Sequence, residues 1–353
     1  MTKIYPHTNY VLPRDQLRCA LANPTRGRFV FLIGPSGVGK TTARRALMRE
    51  MCGEPAQWGA GHIPIIEVFA LLPHNAFFSS RSLIKSMLQE LFIPDLSWLR
   101  DGDNSTNDRY NAVKAEVGRS SKELNGLDLP KLSEPDMWEK FQRMAPERGV
   151  EWGVIEQAHA LCTNRRNKDA ADHILNLMSI LEKVDMNFLL SGVHGAAELW
   201  ATRPEVRRRS TVIWMPPYRH ERKQDRDPFL TLLRTLGQQY RFSKETLLFD
   251  MADELMAASA GIFGVLNKIL SDAYSRSQMA GQNAITKSDV VNSYYGETDY
   301  RKMWADVKFF QEIMSAANTK TEALQVASAW KLRDKRKAKE PAAKVGEPPE
   351  KAA

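Results

Sequence analysis

Eight consecutive residues, Gly34-Pro35-Ser36-Gly37-Val38-Gly39-Lys40-Thr41, have the types and spacing that phosphate chemistry needs. They fill the pattern G-x-x-x-x-G-K-[ST] without a gap. Glycines at these positions let the backbone turn tightly and aim successive N–H groups at phosphate oxygens, and a helix start adds the positive end of its dipole. Lys40 is placed to reach β- and γ-phosphates. The Thr41 hydroxyl can enter the shell of a Mg²⁺ ion, and Thr42 continues into the helix. A chance Gly-rich turn would lack the flanks found here: Phe29–Ile33 reads as a buried parallel strand, and residues 42–48 have the period and propensity of a helix. The motif implies a nucleoside triphosphate, with ATP and Mg²⁺ as the expected cofactors.

Three further groups can act on such a ligand. Residues 152–155 read as an apolar strand that runs into Glu156-Gln157-Ala158-His159. In ATP-hydrolysing P-loop proteins this strand ends in an acid for the metal's water shell, often beside a second acid that polarises the attacking water. Glu156 takes the metal-side position, and an ordinary strand-end carboxylate is the alternative. Gln157 takes the position of the base. An amide cannot accept the proton, though it can orient a water, so slow hydrolysis and a long-lived ATP-bound state are expected. Ser191 closes the strand Asn187–Gly192 and can hydrogen-bond a γ-phosphate or a water. Arg207, Arg208 and Arg209 precede the next strand. Such a run is either a solvated face or a source of guanidinium for a neighbouring subunit's triphosphate; the second reading is preferred, with the reaching arginine left open.

These residues need a scaffold that brings strand ends together. Strands are expected at Phe29–Ile33, 63–69, 152–155, Asn187–Gly192 and 212–215, with helical spacing over 80–91 and 174–181. Strands alternating with helices make an α/β fold with a parallel sheet, whose ligands sit at the carboxyl ends of the strands. From Tyr218 to about Tyr295 only helical patterns occur, at 228–240, 244–259 and 265–280. The expected organisation is an N-terminal segment (1–26), a P-loop domain (27–217) carrying a polar, turn-rich insertion (95–134), a small all-helical domain (218–300), C-terminal helices (301–334) and a disordered basic tail (335–353). The tail reads as solvated, a tether for a partner or DNA being the sharper alternative. In the N-terminal segment, Tyr5, His7 and Tyr10 either stack near an adenine or pack ordinarily.

The chain has 353 residues, 43% of them hydrophobic, enough for one large α/β domain and a companion. Its net charge of +8 favours polyanionic partners. Cys19, Cys52 and Cys162 show no paired spacing, which argues against disulfides and zinc and suits a reducing cytoplasm. No apolar run is long enough to cross a bilayer, and the N-terminus lacks a signal-peptide core.

GPSGVGKT, the strand end VIEQAH, the strand NFLLSG, the arginines before TVIWMPPY and the helical second domain together resemble AAA+ ATPases of the initiator and loader branch. Within it the chain is most similar to the TnsC/TniB transposition regulators of Tn-seven-like transposons, over about residues 5–295, including the passage HILNLMSILEKVDMNFLLSGV and the Tyr-rich opening from Ile4 to Arg14. The resemblance implies an AAA+ fold and a bacterial, cytoplasmic, DNA-associated protein. It further implies an ATP-dependent homo-oligomer, ring or helical filament, on duplex DNA, joining a TniQ-type target selector, with an RNA-guided complex in CRISPR-associated elements, to a transposase. Two departures stand out: the usual Asp-Glu pair is Glu156-Gln157, and Gly264 falls where the helical domain of many AAA+ proteins carries an arginine. Both suit a regulator better than a vigorous motor. Charge and the resemblance together make Arg81 and Lys85, and Arg109, Lys114, Arg119 and Lys122 in the insertion, candidate DNA phosphate contacts. A helicase loader or origin-recognition ATPase would share these motifs. A P-loop kinase is disfavoured, because the helical domain and arginine cluster suit shared ATP sites.

Overall fold

The computed structural model describes residues 8–23, 25–53, 58, 61–70, 77–96, 129–163, 170–201 and 203–318. The chain divides into two compact units, Met1–Gln311 and Glu312–Ala353; the described residues of the second, 312–318, are helical.

Five short, mostly apolar segments form one all-parallel sheet: β1 Phe29–Ile33, β2 Ile65–Phe69, β3 Trp152–Glu156, β4 Asn187–Gly192 and β5 Ser210–Trp214. Their order across the sheet is β2-β3-β4-β1-β5. β1, β3 and β4 are buried along their whole length, as expected of strands covered by helices on both faces, whereas β5 at one edge is mostly half-exposed. The register sets Glu156 beside Ser191, Ser191 beside Leu32, and Ile33 beside Gly192, so the strand ends meet just before the Gly-rich turn.

The helices of the sheet region are α1 Thr8–Leu21, α2 Lys40–Cys52, α3 Ser80–Phe92, α4 Glu134–Glu147, α5 Ala170–Lys183, and the short α6 Glu198–Ala201 and α7 Pro204–Arg208. α4 was not anticipated by the sequence reading, which ends the insertion at its first residue. Its start is fixed by a capping box in which Ser133 Oγ accepts from Asp136 N and the Asp136 carboxylate accepts from Ser133 N. α1, α2 and the sheet share one core, which includes Tyr10, Leu17, Leu47, Val30 and Leu189.

Helices α8 Lys223–Gly237, α9 Leu247–Asp250, α10 Ala252–Ala258, α11 Phe263–Met279 and α12 Lys287–Val291 surround a second apolar cluster built on Phe229, Leu233, Leu255, Leu266 and Ile269. The single helix expected over 244–259 is two, broken at Met251. α13, Glu297–Asn318, ties this cluster to the sheet: the Trp304 indole donates to Ala257 O at 3.2 Å, and Phe310 meets Trp214 edge-on at 5.7 Å. Among the described residues, no helix is long and apolar enough to cross a membrane.

Candidate nucleotide and metal site

The Gly-rich turn joins β1 to α2 at the carboxyl edge of the sheet. Gly37 and Gly39 hold φ of +84° and +100°, which a side chain would disfavour. A Cβ at Gly34 would meet Met215 O at 2.5 Å, so glycine is also required for the close approach to the segment after β5. α2 starts at Lys40, capped by Gly39 with no side-chain bond, and its first N–H groups therefore open into the turn. Lys40 Nζ donates to Gly34 O and Pro35 O, each at 2.8 Å. Burial brings its pKa down to about 8 against the opposing pull of Glu156.

A cleft of about 580 Å³ opens here, lined by the turn, by Lys40, Thr41 and Thr42, and by Glu156, Gln157 and Ser191 from the ends of β3 and β4. The structure thus brings together residues of the turn and the strand-end groups named from the sequence. Ser191 is 1% exposed, and its Oγ has no hydrogen-bond partner among the described residues. A buried hydroxyl without a partner is costly, so an acceptor or donor in the cleft would satisfy it. Gln157 is an exposed residue in the left-handed region, φ 56° and ψ 40°, an uncommon conformation for a residue with a side chain.

Glu156 is almost fully buried and does not stand alone. Arg44 on α2, with no exposed surface, sends Nε to Glu156 Oε1 at 2.8 Å and grips Glu67 of β2 with Nη1 and Nη2 at 3.1 and 2.8 Å. Arg45 adds a 3.0 Å bond to Glu67 Oε1. Two carboxylates and two guanidiniums therefore compensate one another behind the cleft, the condition under which buried charge is tolerated.

Sequence reasoning gave no role to Arg44 or His159. His159 lines the cleft, and its buried Nδ1 has no hydrogen-bond partner among the described residues; burial, then Lys40 and His194, hold its pKa below the usual histidine value. A carboxylate in the middle of the buried strand IIEVF was the available signal for Arg44, since Glu67 there demands a cation.

The helical cluster meets the Gly-rich turn through a backbone hydrogen bond and through the Ile262 side chain, which lies against Gly37 and shares a core with Val38. Gly264 N donates to Gly37 O at 2.8 Å, and a Cβ at Gly264 would lie 2.7 Å from that oxygen. The glycine noted as a departure is thus a contact point with the turn, and no side chain larger than hydrogen fits without movement. Tyr10 is buried with its ring against Gly39 of the turn; Tyr5 and His7 lie outside the described residues.

The three arginines differ. Arg209 pairs with Glu182 at 2.9 Å. Arg207 donates to Ala201 O at 2.6 Å, and Arg208 is exposed with no ion pair among the described residues. On α3, Arg81 is exposed and donates to Pro130 O at 3.1 Å, while Lys85 is half-buried. Arg109, Lys114, Arg119 and Lys122 lie outside the described residues, as do most of the insertion and the tail.

Parallel strands in this order, a phosphate-type turn between β1 and α2, and a helical cluster leaning on that turn define the AAA+ P-loop fold. Residues 25–200 match the AAA domain family. Among solved structures, the chain is similar to the ORC2 protein of Aeropyrum pernix in ADPNP–ADP complexes, at 13% identity and TM-score 0.52 over 83% of this chain and 69% of that one. It is similar to Cdc6p of Pyrobaculum aerophilum at 16% identity and TM-score 0.52, over 82% and 67%, and to a Walker-type ATPase of Pyrococcus abyssi at 15% and 0.51, over 94% and 79%. At such identities the likeness concerns the fold. No curated protein matches the chain.

The donor set suits a triphosphate with a hard cation. The N–H groups of the first turn of α2, which has no side-chain cap, an ammonium, and a hydroxyl without a partner among the described residues are what phosphate oxygens need, and the Thr41 hydroxyl with the Glu156 carboxylate offers oxygen ligands of the kind Mg²⁺ takes.

Proposed function

We propose that this protein binds ATP with Mg²⁺ in the cleft and uses the bound state to assemble on duplex DNA, as a regulator of transposition of the TnsC/TniB kind. The carrying observation is what the cleft contains and what it omits. A phosphate cradle is complete in Lys40, the turn and Ser191, yet the position beside Glu156 holds an amide, and the helical cluster meets the turn through Gly264. Such a site holds a triphosphate better than it cleaves one.

In this reading, the turn and Lys40 bind the phosphates, Ser191 Oγ donates to a γ-phosphate oxygen, and Thr41 with Glu156 would hold Mg²⁺. When bound, the ion supplies neutralisation of phosphate charge. Gln157 orients a water without taking its proton, so hydrolysis is slow. Arg207, Arg208 and Arg209 stand ahead of β5, from where one of them would reach a neighbouring copy's ATP. Arg81 and Lys85, with the four basic residues of the insertion, would face DNA phosphates, giving sequence-tolerant binding that weakens steeply with salt. A TniQ-type selector and a transposase would be the protein partners.

The test is co-purification with both partners on duplex DNA, with ATP, with ADP and without nucleotide. Capture of selector and transposase that requires ATP is expected. Loading of a replicative helicase instead would move the chain to the initiator and loader role, and capture indifferent to nucleotide would remove ATP from the account.

A further inference from the structure

Behind the cleft, Glu156 departs from the aspartate usual at its position by one methylene, and the structure gives that methylene a use. Both contacts from Arg44, Nε and Nη2 at 2.8 Å, land on Glu156 Oε1. No hydrogen bond from a described residue reaches Oε2. The other edge of the same guanidinium is committed to Glu67, with a further contact from Nη1 to Met48 Sδ at 3.3 Å. Arg44 lies three residues after Thr41 on α2, hence on the same helical face, and Glu67 sits two strands away from Ser191, on β2. A planar fork with no exposed surface, gripped on two sides, has one position available to it.

We infer that Arg44 is a positioning residue for the metal-side acid: it fixes the Glu156 carboxylate through Oε1, leaves Oε2 as the oxygen for Mg²⁺, and makes glutamate the required length at position 156. This rests on the ATP and Mg²⁺ reading of the cleft. An aspartate would draw the carboxylate back by about 1.5 Å, one carbon–carbon bond, beyond hydrogen-bond range of Arg44. The usual residue is therefore the damaging one in this chain.

The experiment is a double-mutant cycle with Glu156→Asp and Arg44→Lys, read by binding of a fluorescent ATP analogue in EDTA and in Mg²⁺, with thermal unfolding alongside. Lysine keeps the charge and loses the fork. Wild-type protein should bind in both buffers and more tightly in Mg²⁺. Each single variant should lose about tenfold of the Mg²⁺-dependent gain with affinity in EDTA kept within about twofold, and the double variant should be no worse than the poorer single one. The inference is overturned if Glu156→Asp keeps or improves the Mg²⁺ gain, if the losses add independently, or if affinity falls equally in both buffers, which marks a purely structural role. Should Arg44→Lys not fold, Glu156→Asp alone decides by the same comparison. Absence of analogue binding by the wild-type protein in either buffer would instead refute the ATP reading itself.

Discussion

Lys40 illustrates how little of a phosphate site is discretionary. Its ammonium bonds two neutral carbonyls of its own turn at 2.8 Å, and burial lowers its pKa to about 8, so anionic phosphate oxygens would compensate its buried charge better than those carbonyls do. Lys40→Ala should weaken ATP binding by roughly 10–100-fold, the value of a charged hydrogen bond or two, checked by analogue titration. Gln157 is the converse case, a residue whose replacement should add activity. Gln157→Glu should raise single-turnover hydrolysis by about 10²-fold, since it restores a proton acceptor; no acceleration would mean that Gln157 does not stand at the water. Legibility at this scale followed distance along the chain. The turn was readable because its chemistry is local. Arg44 was not, because its partners lie 23 and 112 residues away and only the sheet brings them together.

Among the elements, the contact between the helical cluster and the turn is the one with least room. Gly264→Ala places a methyl 2.7 Å from Gly37 O, and overpacking of this kind costs about 1–3 kcal/mol. A lowered melting temperature with weaker ATP binding is expected; unchanged values of both would show that the two elements do not meet in solution. On α3, Glu90 accepts a bond from Asp95 N at 2.7 Å. Burial, aided by the charges of Asp95 and Glu67, lifts its pKa from 4.5 to about 7. The folded state then holds a proton that the unfolded state has released between those values. Stability from this group is therefore full below about 4.5 and declines until about 7. Glu90→Gln should flatten that decline and raise stability at pH 8 by about 1–2 kcal/mol, read from unfolding at pH 5 and pH 8. The strands were legible from their apolar runs, with ends shifted by a residue or two. α4 was missed because its Pro, Asp and Glu at the start read as loop, although Ser133 and Asp136 are the signature of a cap.

For the molecule as a whole, the parallel sheet was expected from the alternation of strand and helix patterns and the helical cluster from the all-helical stretch after Tyr218, while the AAA+ fold was what the family resemblance implied. Assembly is a different matter, since a sequence writes down its partners only as exposed charge. Of the arginines before β5, Arg209 is engaged with Glu182 and the exposed Arg207 donates to Ala201 O, both in their own chain, whereas Arg208 is exposed with neither kind of contact among the described residues. Arg208→Ala should therefore abolish assembly while ATP binding by the single chain persists, whereas Arg209→Ala should mainly loosen the junction of α5 and β5. The central claim is that ATP is held to join copies of this chain on DNA. Sedimentation of the purified protein with a slowly hydrolysed ATP analogue and duplex DNA tests it most directly. The account predicts large assemblies that need both ligands and dissolve in ADP or after Arg208→Ala; a chain that sediments as a monomer with both ligands at saturation would contradict it.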